Sequence, residues 1–193
     1  DAIGGVVQVI TKKGQKGLGG QVQAGLGSNS TRQLSTSVSL GNDSTTIRVG
    51  AGYQETKGYS SLKNPSLPGQ RDDDGFRKSS GSLVVNHQLN SQHQLGFTAL
   101  VSDLNNQFDS AFSPDLPYFN RNVQSVYGLN SRHQWNSDWS TRFQLSSTEE
   151  EVDLPLGFPL ENKSHQTQFQ AMNEVKVAGG KALVGFEHLN QGF

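Results

Sequence analysis

Gln33-Leu34-Ser35-Thr36-Ser37-Val38-Ser39-Leu40 alternates without a break. Leu34, Thr36, Val38 and Leu40 fall on one parity; Gln33, Ser35, Ser37 and Ser39 fall on the other. Successive side chains of an extended chain point to opposite faces. The stretch therefore predicts a β-strand with one apolar face and one hydroxyl-rich face. The pattern recurs outward from it. In 46–54, Ile47, Val49, Ala51 and Tyr53 oppose Thr46, Arg48, Gly50, Gly52 and Gln54. In 94–101, Leu95, Phe97, Ala99 and Val101 line up. In 139–146, Trp139, Thr141, Phe143 and Leu145 oppose Ser140, Arg142, Gln144 and Ser146. In 165–177, Thr167, Phe169, Ala171, Val175 and Val177 fall together. Helical periodicity is hard to find.

The separators alternate in length. Asn42-Asp43-Ser44, Asn90-Ser91-Gln92, Asn136-Ser137-Asp138 and Ala178-Gly179-Gly180 read as tight turns, because Asn, Asp and Gly tolerate the left-handed backbone that short hairpins need. Between them lie polar loops expected over about 57–78, 104–124 and 151–164, with one short loop at 27–31. Short and long connections in turn describe an up-and-down meander whose two rims differ. The predicted strands run roughly over 19–27, 32–41, 45–56, 79–89, 93–103, 125–135, 139–149, 165–177 and 181–189. Most reach the ~9–11 residues that cross a bilayer at a steep tilt.

Composition fits that reading. Of 193 residues, only 32% are hydrophobic and 17% charged, and mean hydropathy is -0.58. A barrel wall with a wet interior must be polar on half of every strand. The expected fold class is all-β: a transmembrane antiparallel β-barrel, partial at about nine strands. Nine strands do not close, and an open edge cannot face lipid. The chain is accordingly expected to be a fragment with both ends cut; a resemblance carried by residues 1–13 implies that the whole is a plugged barrel of about 22 strands. Trp135 and Trp139 flank one tight turn, as an aromatic girdle requires.

Other chemistries find little support. A net charge of -1 gives no basic field for nucleic acid. Cysteine is absent, so no disulfide or thiolate site exists. The five histidines, His87, His93, His133, His165 and His188, show no i, i+4 spacing of a helical zinc site. His87 and His133 fall on the outward parity near strand ends. Gly17-Leu18-Gly19-Gly20 lacks the Gly-Lys-Ser/Thr that completes a phosphate loop, and no nucleophile elbow is present. No enzymatic activity is expected.

The sharpest constellation is Gln70-Arg71-Asp72-Asp73-Asp74-Gly75-Phe76. Adjacent carboxylates repel unless hydrated or shared with a cation, and their hard oxygens suit Ca²⁺. Asp103, Asp109 and Asp115 belong to the next long connection, so neighbouring loops could bring Asp72, Asp74 and Asp109 together. On the residues alone, a solvated acidic loop tip is the favoured reading. Glu149-Glu150-Glu151 with Asp153 reads as a solvated rim that bridges lipopolysaccharide through divalent ions, with a contribution to an outer cation site as the alternative.

Asp1-Ala2-Ile3-Gly4-Gly5-Val6-Val7-Gln8-Val9-Ile10-Thr11-Lys12-Lys13 closely resembles the segment that ends the plug of TonB-dependent outer-membrane receptors. The resemblance implies a plug end over 1–16 and the first part of a barrel over 17–193. Lys12, Lys13 and Lys16 then form a solvated linker where plug meets barrel. Gly58-Tyr59, the 70–76 stretch, Asn105-Asn106-Gln107-Phe108-Asp109-Ser110 and Ser113-Pro114 are similar to the vitamin B12 (cobalamin) branch of that family. That branch implies calcium on Asp72, Asp74 and Asp109, and a corrinoid approached by Phe108, Asp109 and Ser110. Ser60 and Asn120 depart from it, standing where the branch has acidic residues. The implied function is energy-coupled uptake of a large scarce nutrient, a corrinoid first, across the bacterial outer membrane. The implied partners are a TonB-type coupling protein, outer-membrane lipid and lipopolysaccharide. A ferric-siderophore receptor of the same fold is the nearer alternative, and a surface β-rich adhesin or binding module the farther one.

Overall fold

The computed structural model describes residues 14–60, 73–109, 118–154 and 160–193. They form one nine-stranded antiparallel sheet in sequence order. The strands are β1 (Gly17–Leu26), β2 (Arg32–Gly41), β3 (Thr45–Tyr59), β4 (Asp74–Gln88), β5 (His93–Gln107), β6 (Phe119–Gln134), β7 (Trp139–Leu154), β8 (Leu160–Val177) and β9 (Gly180–Gly192). Each pairs only with its neighbours in the chain, and β1 and β9 are the sheet's edges.

Three hairpins at one rim turn by the same device. Asn42 Oδ1 accepts from the backbone N–H of Ser44 at 2.9 Å and of Thr45 at 2.7 Å. Asn90 Oδ1 accepts from Gln92 and His93 N–H at 2.9 and 3.0 Å. Asn136 Oδ1 accepts from Asp138 N–H at 2.9 Å. In each, the amide oxygen stands in for a backbone acceptor and closes the turn. The fourth turn at this rim uses Gly179 at φ +86°.

Register carries the alternation across the whole sheet. Leu40 faces Ile47, which faces Val85, which faces Phe97, which faces Leu129, which faces Leu145, which faces Phe169. A continuous apolar band thus crosses the outward face, from Leu18 and Val22 on β1 to Val184 and Phe186 on β9. The opposite face carries Gln21, Gln23, Ser35, Ser37, Arg48, Ser80, Ser82, Gln124, Arg132, Arg142 and Gln144.

The sheet has almost no dry core. Among the described residues, only Val84 and Tyr118 are buried hydrophobics, while Leu18, Val22, Leu34, Val49 and Leu129 stand about half exposed or more. The polar face is the concave one: it lines a hollow of about 620 Å³ between Gln21, Ser37, Arg48, Lys78, Ser82 and Gln124. Ser39, on this face, is 2% exposed. An apolar convex face and a wet concave face invert the arrangement of a soluble sheet. They are the arrangement of a barrel wall in lipid. The surface β-rich module is disfavoured for this reason, since so large a bare apolar face in water promotes association.

One sequence expectation needs correction. The long connections are shorter than 57–78, 104–124 and 151–164, because β3 runs on to Tyr59, β4 starts at Asp74, β5 runs on to Gln107 and β6 starts at Phe119. Likewise β7 continues to Leu154 and β8 begins at Leu160. At 15 to 18 residues, β3 to β8 are about 50 Å or more long, well beyond an apolar band of about 25 Å. The lengthened strands also carry charge. Glu55, Arg77, Asp103, Arg121, Glu149, Glu151, Asp153 and Lys163 all lie on strands. The ladder continues above the band because the backbone still pairs there, while outward side chains switch from apolar to charged.

Candidate functional site

The rim opposite the Asn turns is built around β3, β4 and β5. Gly58 has φ +69° and a register shift separates Thr56 from Tyr59, so β3 is irregular where it meets the start of β4. Gly75 follows, and its N–H donates to Gln107 Oε1 at 3.1 Å. A Cβ on Gly75 would lie 2.4 Å from the Thr56 carbonyl oxygen. Three strands therefore close on one another here through glycine backbone.

Asp74 opens β4 and Asp109 follows the end of β5 by two residues. Phe76 pairs with Asn106, so both carboxylates belong to the same rim, on adjacent strands. Each has a partner already. Asp72 lies outside the described residues, as does Ser110. Among the described residues no three carboxylates or imidazoles gather at one point. Phe108 is fixed: its N–H donates to the Tyr118 carbonyl at 3.1 Å, and the two rings lie 5.6 Å apart. Tyr118 is 9% exposed. Ser60 ends β3's exit and Asn120 pairs with Asn106 on the polar face, so Asn120 is a strand residue rather than a loop one.

Farther along the rim, Arg121 holds Asp103 in a fork, Nε to Oδ1 at 3.1 Å and Nη2 to Oδ2 at 2.6 Å. The hydrogen-bonded guanidinium lowers the Asp103 carboxyl below its usual range, against a small desolvation effect. Both groups lie above the apolar band. Glu149 and Glu151 point outward and Glu150 inward, where it accepts from Asn122 Nδ2 at 2.7 Å. Lys163 reaches Glu161 at 2.7 Å and Glu151 at 3.7 Å. These exposed pairs fit a solvated rim. Lys16 pairs with Asp43 at the opposite rim; Lys12 and Lys13 lie outside the described residues.

The concave wall is more basic. Arg48 donates to Ser37 Oγ at 2.6 Å. Arg132 and Arg142 are direct cross-strand partners, an arrangement that repels unless an anion or carboxylate intervenes. Glu174 stands two residues beyond Met172, the partner of Arg142. Lys181 donates to Glu174 at 2.6 Å. Sequence reasoning missed this clustering, because it depends on register and not on spacing along the chain.

At the Asn-turn rim, Trp135 and Trp139 close their hairpin, Trp135 N–H donating to the Trp139 carbonyl at 2.9 Å. Their rings lie 5.7 Å apart. Trp135 Nε1–H donates to Thr141 Oγ1 at 2.8 Å, and Thr141 donates to Asn173 Oδ1 at 2.7 Å. His93 and His133 pack against Trp135 at this rim.

No family model matches the sequence. Among solved structures, the chain is similar to a double mutant of the ferric enterobactin receptor PfeA from Pseudomonas aeruginosa. The TM-score is 0.72 at 17% identity, over 98% of this chain and 33% of that one. A second PfeA mutant matches at TM-score 0.69 and 14% identity, over 94% of this chain and 32% of that one. The chain spans about a third of the length of the structures it matches. The likeness is one of fold: this nine-stranded sheet is similar in shape to about a third of those chains.

Proposed function

We propose that the chain is the plug end and first barrel strands of a TonB-dependent receptor in the bacterial outer membrane, taking up an iron chelate. The observation that carries the reading is the nine-strand meander, apolar outside and polar inside, which over 98% of this chain is similar in fold to a third of the ferric enterobactin receptor PfeA. The role is transport, without catalysis. Ligand enters from the rim of Asp74 and Phe108, and the rest of the barrel, a plug and a TonB-type partner complete the machine. The siderophore reading takes precedence over the corrinoid one. The described concave wall carries Arg48, Lys78, Arg132, Arg142, Lys176 and Lys181 against Asp74, Glu150, Glu174 and Glu187. That surplus of positive charge suits an anionic ferric complex better than a neutral corrinoid.

The corrinoid reading stays as the second, resting on Asp72, Asp74, Asp109, Phe108 and Ser110. It includes Ca²⁺ as a structural ion at the rim. Two of its three carboxylates, Asp74 and Asp109, share one rim on adjacent strands, and hard carboxylate oxygens are the donors Ca²⁺ takes. On this reading Asp72, Asp74 and Asp109 hold it, and its charge offsets their mutual repulsion.

Uptake of radiolabelled ferric catecholate and of labelled cyanocobalamin by cells expressing the protein, with and without a functional TonB, tests both. TonB-dependent uptake of the ferric complex alone is expected. Uptake of cyanocobalamin alone reverses the order of the two readings, and uptake of neither contradicts both.

A further inference from the structure

His93 and His133 are direct cross-strand partners on the outward face of β5 and β6. Their Nδ1 atoms lie 3.0 Å apart. Either imidazole carries at most one neutral N–H, so the contact has one proton between two nitrogens. His133 is oriented from behind: its Nε2 meets Ser131 Oγ at 3.1 Å. With Nε2–H donating to that hydroxyl, the Nδ1 lone pair is turned to the strand interface. Metal-binding histidines are held in this way, the remote nitrogen fixed by an outer partner.

We propose that His93 and His133 form a two-imidazole site for a divalent transition metal of tetragonal preference, Cu²⁺ above all. Metal–nitrogen bonds of about 2.0–2.1 Å to two nitrogens 3.0 Å apart subtend about 95° at the metal. That is the cis angle of a square-planar or tetragonal ion. Imidazole nitrogen in tetragonal geometry selects Cu²⁺ or Ni²⁺, and Cu²⁺ binds more tightly. Small rotations of both rings aim the lone pairs at one point. Water fills the remaining positions, since among the described residues no third imidazole or carboxylate joins the pair.

The surroundings favour a held ion. Trp135 lies 5.5 Å from the His93 ring and 5.3 Å from the His133 ring, and Phe143 is 5.9 Å from His133. These rings limit the pair's motion and so reduce what is lost on ordering it. The site sits on the girdle beside the Asn136 turn, where a bound ion bridges β5 and β6 at the membrane surface. It is separate from the rim and wall that face ligand.

The test uses the complete protein purified in detergent, with CuCl2 as the probe. Paramagnetic resonance of the copper complex is expected to show coupling to two imidazole nitrogens. Emission from Trp135, taken as the difference from Trp135→Phe, is expected to fall as copper binds. His93→Gln and His133→Gln are each expected to weaken binding about tenfold or more, while His188→Gln leaves it as in the natural protein. Heat-modifiable gel mobility reports that the variants fold. A wild-type spectrum without two-nitrogen coupling overturns the proposal whatever the variants do. Unchanged copper affinity in folded His93→Gln and His133→Gln overturns it as well.

Discussion

Gly58 stands so close to Asp74 that a Cβ on it would lie 1.8 Å from the Asp74 carbonyl oxygen. Its φ of +69° is one that other residues rarely adopt. The irregular crossing of β3 and β4, and so the position of Asp74 at the rim, depends on the absence of a side chain. Gly58→Ala is expected to destabilise the rim by about 2 kcal/mol or more, from backbone strain plus the clash. Faster proteolysis of the β3–β4 connection, with the girdle unchanged, is the readout.

Thr141 is 3% exposed and links Trp135 to Asn173 by accepting from one and donating to the other. Thr141→Val keeps the shape and removes both bonds. Asn173 Oδ1 keeps the Trp139 Nε1–H at 3.1 Å, so the cost is that of leaving the Trp135 indole N–H unpaired, about 1–3 kcal/mol, measured by reversible denaturant unfolding in lipid vesicles. Thr141→Ser retains the hydroxyl and is expected to lose much less.

Leu129 lies in the middle of the outward band, 54% exposed. Leu129→Arg puts a charge into lipid and is expected to cost about 2–4 kcal/mol. Ser146→Arg, on the concave face and one register step from Leu129's partner Leu145, is expected to cost almost nothing. Equal costs for the two would mean that the faces do not differ in what they touch.

Asp74→Asn and Asp109→Asn separate the two rim readings. If calcium orders the rim, chelation weakens ligand binding in the natural protein, and each substitution removes most of that sensitivity. Isothermal titration with and without a chelator makes the measurement. A rim of solvated carboxylates predicts no effect of chelation in any variant.

Much of the fold was legible in the sequence because lipid outside and water inside force period two on every strand that crosses. All nine strands and every tight turn follow from that constraint, as at 33–40 and Asn42-Asp43-Ser44. The constraint stops at the edge of the lipid. Above it Asp103, Arg121 and Glu151 face water on both sides, alternation lapses, and strands read as loops. The pairs that matter most chemically were hidden for a different reason. His93 and His133, Arg132 and Arg142, and Asp103 and Arg121 are separated by 40, 10 and 18 positions, and only register joins them. The resemblance of 70–76 and 105–110 to one branch of a family implies a ligand, but a likeness of fold at 17% identity carries no substrate with it.

Everything above rests on which medium each face of the sheet meets. The sequence has no cysteine, so a single nitroxide can be placed at each position from 124 to 131 on β6 of the protein in lipid vesicles. The account predicts strict alternation. Oxygen, which concentrates in lipid, reaches labels at 125, 127, 129 and 131, and a water-soluble nickel chelate reaches those at 124, 126, 128 and 130. Labels that all favour the nickel chelate, or show no period of two, would contradict a membrane barrel and the uptake function built on it.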